Sequence, residues 1–302
     1  MADLKIKGIT VVETFAEAFP MVGTRIVITA PSLKWALIAA QTMTGFATSV
    51  IACGAEAGID RILSPKETLD GRPGVAVLLF TMDADKLQRQ LRNRVGQCVL
   101  TSPGSACFAG LEGEKKLKLG GSLRFFGDGW QMSKMLGGRR FWRIPVMDGE
   151  FLCEATTGLT KKAVGGGNLL VLGKSYESVL AASERAVKAI AEIEGVITPF
   201  PGGIVRSGSK VGSKYKGQIA STNDAYCPTL KAAVKTELPL KVEAVMEIVI
   251  DGLTKESVEK AMHAGLHAIA KGGAKEGVTH ITAGNYGGNL GPHHFHLKEI
   301  VT

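Results

Sequence analysis

An α+β fold built twice over is what this sequence predicts. Three observations lead there. Residues 25–101 follow the order strand, helix, strand, strand, helix, strand, and residues 168–283 follow it again. The 302 residues are 45% hydrophobic and 21% charged, the balance of a chain with a packed core. That balance excludes a disordered chain, a coiled coil and a collagen-like repeat. Aromatic residues stand at 6%, too few for broad stacking platforms on nucleic acid.

The first round opens at residues 25–30 (RIVITA), whose β-branched residues make a strand. Residues 32–44 have helical character and end at Gly45, and residues 46–53 (FATSVIAC) are expected as a second strand. Past a turn at Asp70-Gly71-Arg72-Pro73-Gly74, residues 75–82 (VAVLLFTM) form a near-continuous apolar strand. Residues 83–95 set Leu87, Leu91 and Val95 one turn apart on a charged background, the pattern of an amphipathic helix. Residues 98–101 return as a strand.

In the second round, residues 168–172 are a strand and residues 175–194 a helix, capped by Ser175 and stopped by Gly195. Residues 196–205 are extended, with Pro and Gly interruptions. Residues 242–250 (VEAVMEIVI) are a strand, 254–270 a helix capped by Thr254, and 279–283 the last strand. Each half reaches a Gly-Ile-x-Arg after its second strand: Gly58-Ile59-Asp60-Arg61 and Gly203-Ile204-Val205-Arg206. Helices on one face of an antiparallel sheet, connected in this order, make the split βαβ or ferredoxin-like arrangement. The expectation is a tandem duplication of ferredoxin-like lobes, 1–149 and 150–302. Within the first lobe, residues 104–149 are an insertion with hairpins at 122–126 and 141–147.

Lysine and arginine exceed aspartate and glutamate by 36 to 28, a net charge of +8. The excess is spread over both halves rather than gathered in a tail, which suits anionic small molecules, acidic proteins or nucleic acid. No apolar stretch of signal-peptide type opens the chain. The longest uncharged run, residues 35–55, breaks at Gly45 and carries Gln41, Thr42 and Thr44, so a helix followed by a strand explains it better than a membrane span. The cysteines are Cys53, Cys98, Cys107, Cys153 and Cys227, odd in number and without a CxxC. Free thiols in a reducing cytosol fit that pattern.

The richest stretch for chemistry is residues 198–216, TPFPGGIVRSGSKVGSKYK. No acidic residue falls between Glu194 and Asp224, while Arg206, Lys210, Lys214 and Lys216 all do. Glycine lets backbone N–H groups approach a ligand closely, and the cations add attraction for an anion. A solvated loop is the plain alternative, and neither phosphate-loop pattern is present. Residues 163–170 (AVGGGNLL) and 283–291 (AGNYGGNLG) are also glycine-rich; close packing and ligand contact both stay open there. Glu247 lies within an apolar strand, on the face of Val245 and Val249. A carboxylate buried on such a face has a raised pKa, as a general acid–base needs, unless the face is open or the charge is paired. His263 and His267 sit one helical turn apart without an acidic third ligand and read as a solvated face. His293, His294 and His296 read as surface decoration, and Cys153 and Cys227 as buried packing.

Taken together, GFATSVIACGAEAGI (45–59), DGRPG (70–74), VGQCVLTSP (95–103), EGVITPFPGGIVRSGSK (194–210), EIVIDGL (247–253) and ITAGNYGG (281–288), with AEAF at 16–19, resemble the formylmethanofuran:tetrahydromethanopterin N-formyltransferases. The segments are collinear over nearly the whole chain, and PFPGGIV followed by RSGSK is the most specific. The resemblance implies two ferredoxin-like lobes, a homotetramer and a cytoplasmic enzyme of one-carbon metabolism. Its reaction moves a formyl group between the amine of methanofuran and N5 of tetrahydromethanopterin. Both carriers are co-substrates, with no metal or prosthetic group, no nucleic acid and no membrane. Glu247 corresponds to the family's strand glutamate and is expected to be catalytic. Pro201, Gly202, Gly203, Ile204, Arg206, Ser207, Gly208, Ser209 and Lys210 are expected to bind substrate. The positive charge departs from the acid-rich archaeal members and implies the methylotroph branch, whose members are one of the subunits of a formyltransferase/hydrolase complex. Two other readings are a non-catalytic scaffold subunit of such a complex and a basic ferredoxin-like nucleic-acid-binding module. The latter needs aromatic residues on its central strands, where Phe80 stands alone.

Overall fold

The structure, a computed structural model, describes residues 4–113 and 115–302. The chain packs as two compact units: residues 21–163, and residues 164–302 together with those up to 20. The long strands Phe15–Thr29 and Thr156–Gly173 each carry the chain from one unit into the other.

In the unit of residues 21–163, every residue of Gly74–Thr81 is buried. A strand covered on both faces needs a near-continuous apolar run, and VAVLLFT supplies it. It pairs antiparallel with residues 22–29 on one edge and with Glu56–Leu63 on the other. Residues 26–29 pair in turn with Ala106–Ala109. Helices Leu33–Thr44 and Ala84–Arg94 lay Ala36, Ala40, Met43, Leu87 and Leu91 into one cluster with Ile26, Ile28, Val75, Val77 and Leu79. Ser32 and Asp83 start these helices by accepting the N–H groups of Trp35 and Lys86, each cap contributing about 1 kcal/mol.

Three expected strands of this half are helical instead. Residues 46–53 close as a turn, Val50–Cys53. Phe46 takes a left-handed φ of 56°, and the Glu56 carboxylate accepts the Val50 N–H at 3.0 Å, so the strand begins only at Glu56. That start places Gly58–Arg61 inside the second strand rather than after it. Residues 98–101 prolong the preceding helix through a π-helical turn, Val95–Val99, which buries Val95 and Val99; the strand is Ala106–Ala109. Residues 122–126 lie in Gly120–Leu123 and the 3-10 turn Arg124–Gly127. There the Ala155 carbonyl accepts the N–H groups of both Leu119 and Gly121 and winds the chain up. The second expected hairpin strand is present within Arg139–Val146, which forms a meander with Met132–Leu136 and Gly149–Glu154.

In the other unit, residues 164–173 run between Ala244–Gly252 and Val278–Thr282, antiparallel to both. Val196–Ile197 pairs with the far edge of Ala244–Gly252. Ile9–Val11 runs parallel to Val278–Thr282, and Leu4–Ile6 turns back upon it. Helices Tyr176–Ile190 and Lys255–Ala270 cover one face, where Val179, Ala186, Met262 and Leu266 meet Leu169, Val171, Met246 and Ile248. Gly167 explains much of the AVGGGNLL run: a Cβ there would lie 2.4 Å from the Val258 side chain. This partition by packing does not coincide with a boundary at 149, because the first strands add to the C-terminal sheet and Ala16 and Ala18 enter its core. Among the described residues, no helix is long and apolar enough to cross a membrane. All five cysteines are free.

Candidate active site

Along Ala244–Gly252 successive side chains alternate between faces. Met246, Ile248 and Ile250 are buried beneath the helices, while Val245, Glu247 and Val249 occupy the opposite face. Leu170, Leu172, Leu238, Val242 and Tyr226 form a small apolar cluster there. Residues 205–229 border a cavity of about 290 Å³ on this face, lined by Leu170, Val245 and Glu247 from the sheet and by Arg206, Ser207, Gly208 and Tyr226 from the covering segment. The loop is stitched to the glutamate's own peptide. Val205 donates to the Glu247 carbonyl at 2.7 Å, and the Glu247 N–H donates back to Val205 at 2.9 Å. Burial pushes the Glu247 carboxyl up to about 7, so it can take or give a proton near neutrality.

The loop expected to bind substrate divides in two. Pro201–Gly203 is a 3-10 turn, with Gly203 pressed against Val187 of the Tyr176–Ile190 helix and Ile204 packed on the core. These four residues are absent from the cavity lining, whereas Arg206, Ser207 and Gly208 belong to it. The Thr222 hydroxyl donates to the Ser207 carbonyl at 3.2 Å. Ser209 is not among the residues that line the cavity. Lys210 is held by Asp224 at 2.6 Å.

The glycine-rich segment 283–291 is ordered by a residue whose place in AEAF was its only distinction in the sequence. Glu17 is 1% exposed, lying just beneath this one loop. Its Oε2 accepts the N–H groups of Tyr286 (2.6 Å) and Gly288 (2.8 Å), and its Oε1 those of Leu290 (2.6 Å) and Gly291 (2.7 Å). Burial works to raise its pKa, but the four backbone donors outweigh it and hold the carboxyl at about 2. The loop can close this far because a Cβ at Gly291 would fall 2.4 Å from the Ala18 carbonyl oxygen. Asn168 fastens the base, accepting the Gly284 N–H at 2.6 Å and donating to the Gly284 carbonyl at 3.1 Å. Tyr226, Tyr286, Asn168 and Glu17 are thus the residues that sequence reasoning missed. Their partners are distant in the chain, and backbone N–H donors leave no mark in composition.

The remaining candidates have structural duties. His263 and His267 bond the carbonyls of Ile300 and Val301 at 2.7 and 3.1 Å, and His294 packs on Phe15 and bonds the Gly291 carbonyl. Among the described residues, no group of His, Cys, Asp or Glu is arranged to hold a metal. Cys153 is buried beside Cys107, and burial pushes its thiol far above the usual range. Cys227 borders the cavity, but its thiol donates to the Asn223 carbonyl at 3.4 Å. A larger hollow of about 760 Å³ in the other unit is lined by Lys116, Lys118, Arg124, Arg139 and Arg140. Its acids, Glu112 and Glu154, are tied to Lys116 and Arg139, so it offers charge without an available acid–base.

Comparison with known proteins bears on this geometry. The family profile for formylmethanofuran-tetrahydromethanopterin formyltransferase matches residues 4–146, and that for its proximal lobe matches residues 149–300. A formylmethanofuran–tetrahydromethanopterin formyltransferase of Methylococcus capsulatus is 62% identical over 98% of this chain and 99% of its own. A subunit of the formyltransferase/hydrolase complex of Methylorubrum extorquens is 58% identical over 100% and 98%. Among solved structures, the Methylorubrum extorquens complex with methylofuran contains a chain superposing with a TM-score of 0.98 at 57% identity, covering 100% of this chain and 99% of that one. The Methanosarcina barkeri formyltransferase superposes with a TM-score of 0.93 at 49% identity, covering 98% and 100%. The chain belongs to the formylmethanofuran–tetrahydromethanopterin formyltransferase family.

Proposed function

We propose that this chain transfers a formyl group between the primary amine of methanofuran, or an analogue of it, and N5 of tetrahydromethanopterin. The transfer is direct, through a tetrahedral intermediate. The observation that carries this reading is Glu247, a carboxyl raised to about 7 at a cavity that Arg206, Ser207 and Gly208 also line.

The chemistry follows from what an amide-to-amine transfer needs. As the attacking nitrogen bonds to the formyl carbon, the carbonyl oxygen takes up the π pair and becomes an oxyanion, while the nitrogen must shed a proton. Glu247 accepts that proton and delivers it to the departing nitrogen as the C–N bond breaks and the carbonyl re-forms. N–H groups of the 206–210 segment and the Arg206 guanidinium stabilise the developing negative charge. No covalent enzyme intermediate is required, and the two carriers serve as co-substrates. Pro201, Gly202, Gly203 and Ile204 belong in this reading to one substrate-binding loop with Arg206, Ser207, Gly208, Ser209 and Lys210.

The same reading keeps the lobes as tandem ferredoxin-like halves, 1–149 and 150–302. In its support, residues 22–29, 56–63, 74–81 and 106–109 pair in the same spatial order as residues 164–173, 196–197, 244–252 and 278–282. A cytoplasmic homotetramer, associating with subunits of a formyltransferase/hydrolase complex, completes the proposal. A nucleic-acid-binding role finds no support in Phe80, whose ring is fully buried and faces Gly23.

The deciding experiment mixes purified protein with formylmethanofuran and tetrahydromethanopterin and follows the N5-formyl product by absorbance. Product formed at a rate proportional to enzyme is the expected result; no product in either direction overturns the reading.

A further inference from the structure

We propose that the large basic hollow in the unit of residues 21–163 binds a small multivalent anion, one carrying two or more carboxylate or phosphate groups. The hollow shares no lining residue with the cavity at Glu247, so the inference stands apart from the formyl-transfer reading.

Strand alternation and one turn bring the cations together. In Lys115–Lys118, Leu117 packs into the core, which leaves Lys116 and Lys118 on the opposite face. In Arg139–Val146, Arg140 and Trp142 share a face and pair with Met135 and Ser133 of the neighbouring strand. Arg124 joins them from the turn Arg124–Gly127. Lys116, Lys118, Arg124, Met135, Arg140 and Trp142 all line one hollow of about 760 Å³, a volume that suits a small-molecule ligand.

What marks the hollow as a site is which of its charges are already satisfied. Glu112 pairs with Lys116 at 2.9 Å. Glu154, 5% exposed, meets Arg139 with both oxygens and also accepts the Ala109 N–H at 2.9 Å. Lys118, Arg124 and Arg140 have no carboxylate partner among the described residues. Neutral groups nevertheless fix the two guanidiniums. Arg124 donates to the Gly121 carbonyl at 2.9 Å and lies over the Phe125 and Trp142 rings, 4.4 and 4.8 Å from their centroids. Arg140 donates to the Ser133 hydroxyl at 3.0 Å. Most of their N–H donors stay available, in the planar fork that fits carboxylate or phosphate oxygens. Three like charges around one hollow repel each other, and an anion that bridges them removes that cost. A monovalent anion would satisfy one cation and leave two, so the ligand's valence follows from the arrangement. Trp142 and Met135 supply an apolar wall for its carbon frame.

Titration calorimetry of the full chain with citrate, pyrophosphate and acetate tests the assignment and needs no turnover. Citrate or pyrophosphate is expected to saturate a single site at least about tenfold more tightly than acetate, and to bind more weakly as salt is raised. Lys118→Gln combined with Arg140→Gln removes two of the unpaired cations and leaves the contacts of Arg124 in place. This pair is expected to weaken citrate binding about tenfold or more. Lys188→Gln combined with Lys275→Gln removes the same charge from exposed positions of the other unit and is expected to change it by less than about twofold. Equal losses in the two double variants overturn the proposal in favour of a general positive field. Acetate binding as tightly as citrate, or no saturable binding of any of the three, overturns it as well. If the first pair does not fold, Lys118→Gln alone, at an exposed strand position, is measured in its place. Kinetics then separate two sources of the anion. A raised KM for one formyl carrier with kcat preserved shows that an anionic part of that carrier fills the hollow, whereas unchanged KM values with citrate affinity lost assign it to a separate small anion. A wild-type protein without formyl transfer brings down the reading at Glu247 and leaves the calorimetric result to decide this one.

Discussion

Glu17 and Glu247 lie in the same compact unit, each on a strand and each drawn out of bulk water, yet one titrates at about 2 and the other at about 7. Burial acts on both in the same direction, against the charged form. What separates them is the backbone around the carboxyl. The segment after the last long strand turns back over Glu17 and aims four N–H groups at two oxygens. The segment over Glu247 spends the Val205 N–H on the glutamate's carbonyl rather than its carboxyl. One glycine-rich segment thus makes a fixed anion that serves as a structural anchor, and the other leaves a carboxyl ready to change its proton. Glycine content alone does not distinguish them; the direction of the N–H groups does.

The largest effect expected from this contrast is on turnover. Glu247→Gln keeps the shape of the side chain and removes its capacity to exchange a proton, so kcat should fall by about a thousandfold while KM for each carrier stays within about threefold. Initial rates at saturating and limiting carrier separate the two parameters. A rise in KM with kcat preserved would make Glu247 a binding group and erase its difference from Glu17. On the other side of the comparison, Glu17→Ala leaves four N–H groups without their shared acceptor and should cost about 3 kcal/mol in urea unfolding near neutral pH. Because the folded pKa of Glu17 is depressed from 4.5 to about 2, its contribution is complete above about pH 4.5 and is lost as pH falls toward 2. The deficit of the variant should shrink over that range, and a deficit that is independent of pH would show that lost packing, not the anion, is responsible.

The sequence reached these two residues unequally, for physical reasons. Glu247 is legible because strand alternation is local: VEAVMEIVI places one carboxyl among apolar neighbours, and no other residue is needed to notice it. Ser175 and Thr254 are legible as caps for the same reason, since each acts within three residues of itself. Glu17 gains its meaning from N–H groups some 270 residues away in the chain, which no local pattern encodes. FATSVIAC misled because its short apolar run fits a strand as well as a helical turn, and the choice was made by Glu56 capping Val50. The Pro201–Ile204 part of the glycine loop looked like ligand-binding backbone from composition, but its glycines allow contact with a helix as readily as with a substrate.

Stability offers a second and smaller test of the environment of Glu247. Its folded pKa, about 7, lies above the unfolded value of 4.5. Ionisation therefore costs the folded state nothing below about pH 4.5, and the cost grows until pH passes about 7. Glu247→Gln removes that cost. The variant should match the wild type in urea unfolding near pH 4 and exceed it by up to about 3 kcal/mol near pH 8. A carboxyl whose removal stabilises the protein only when ionised is the mirror image of Glu17, whose removal destabilises it only when ionised. Equal stability of both proteins at both pH values would mean that the carboxyl is solvated and that the contrast with Glu17 is one of hydrogen bonding alone.

The smallest effect belongs to a half-buried carboxylate that serves as the control. Asp224 is paired with Lys210 at 2.6 Å, and that hydrogen bond lowers its pKa, as the N–H groups lower that of Glu17. The pair differs from Glu17 in being partly open to solvent, where water replaces either partner at lower cost. Lys210→Met should therefore leave the unfolding midpoint within replicate scatter from about pH 4 to about pH 8, even though the contact is as short as any made by Glu17. If lysine also meets the substrate, the change will surface as a higher KM for the more anionic carrier, and raising the salt concentration will narrow the difference from wild type. An unfolding shift as large as that of Glu17→Ala would show that a short contact suffices without burial. The two buried glutamates would then owe their opposite behaviour to pairing and not to the water they have lost.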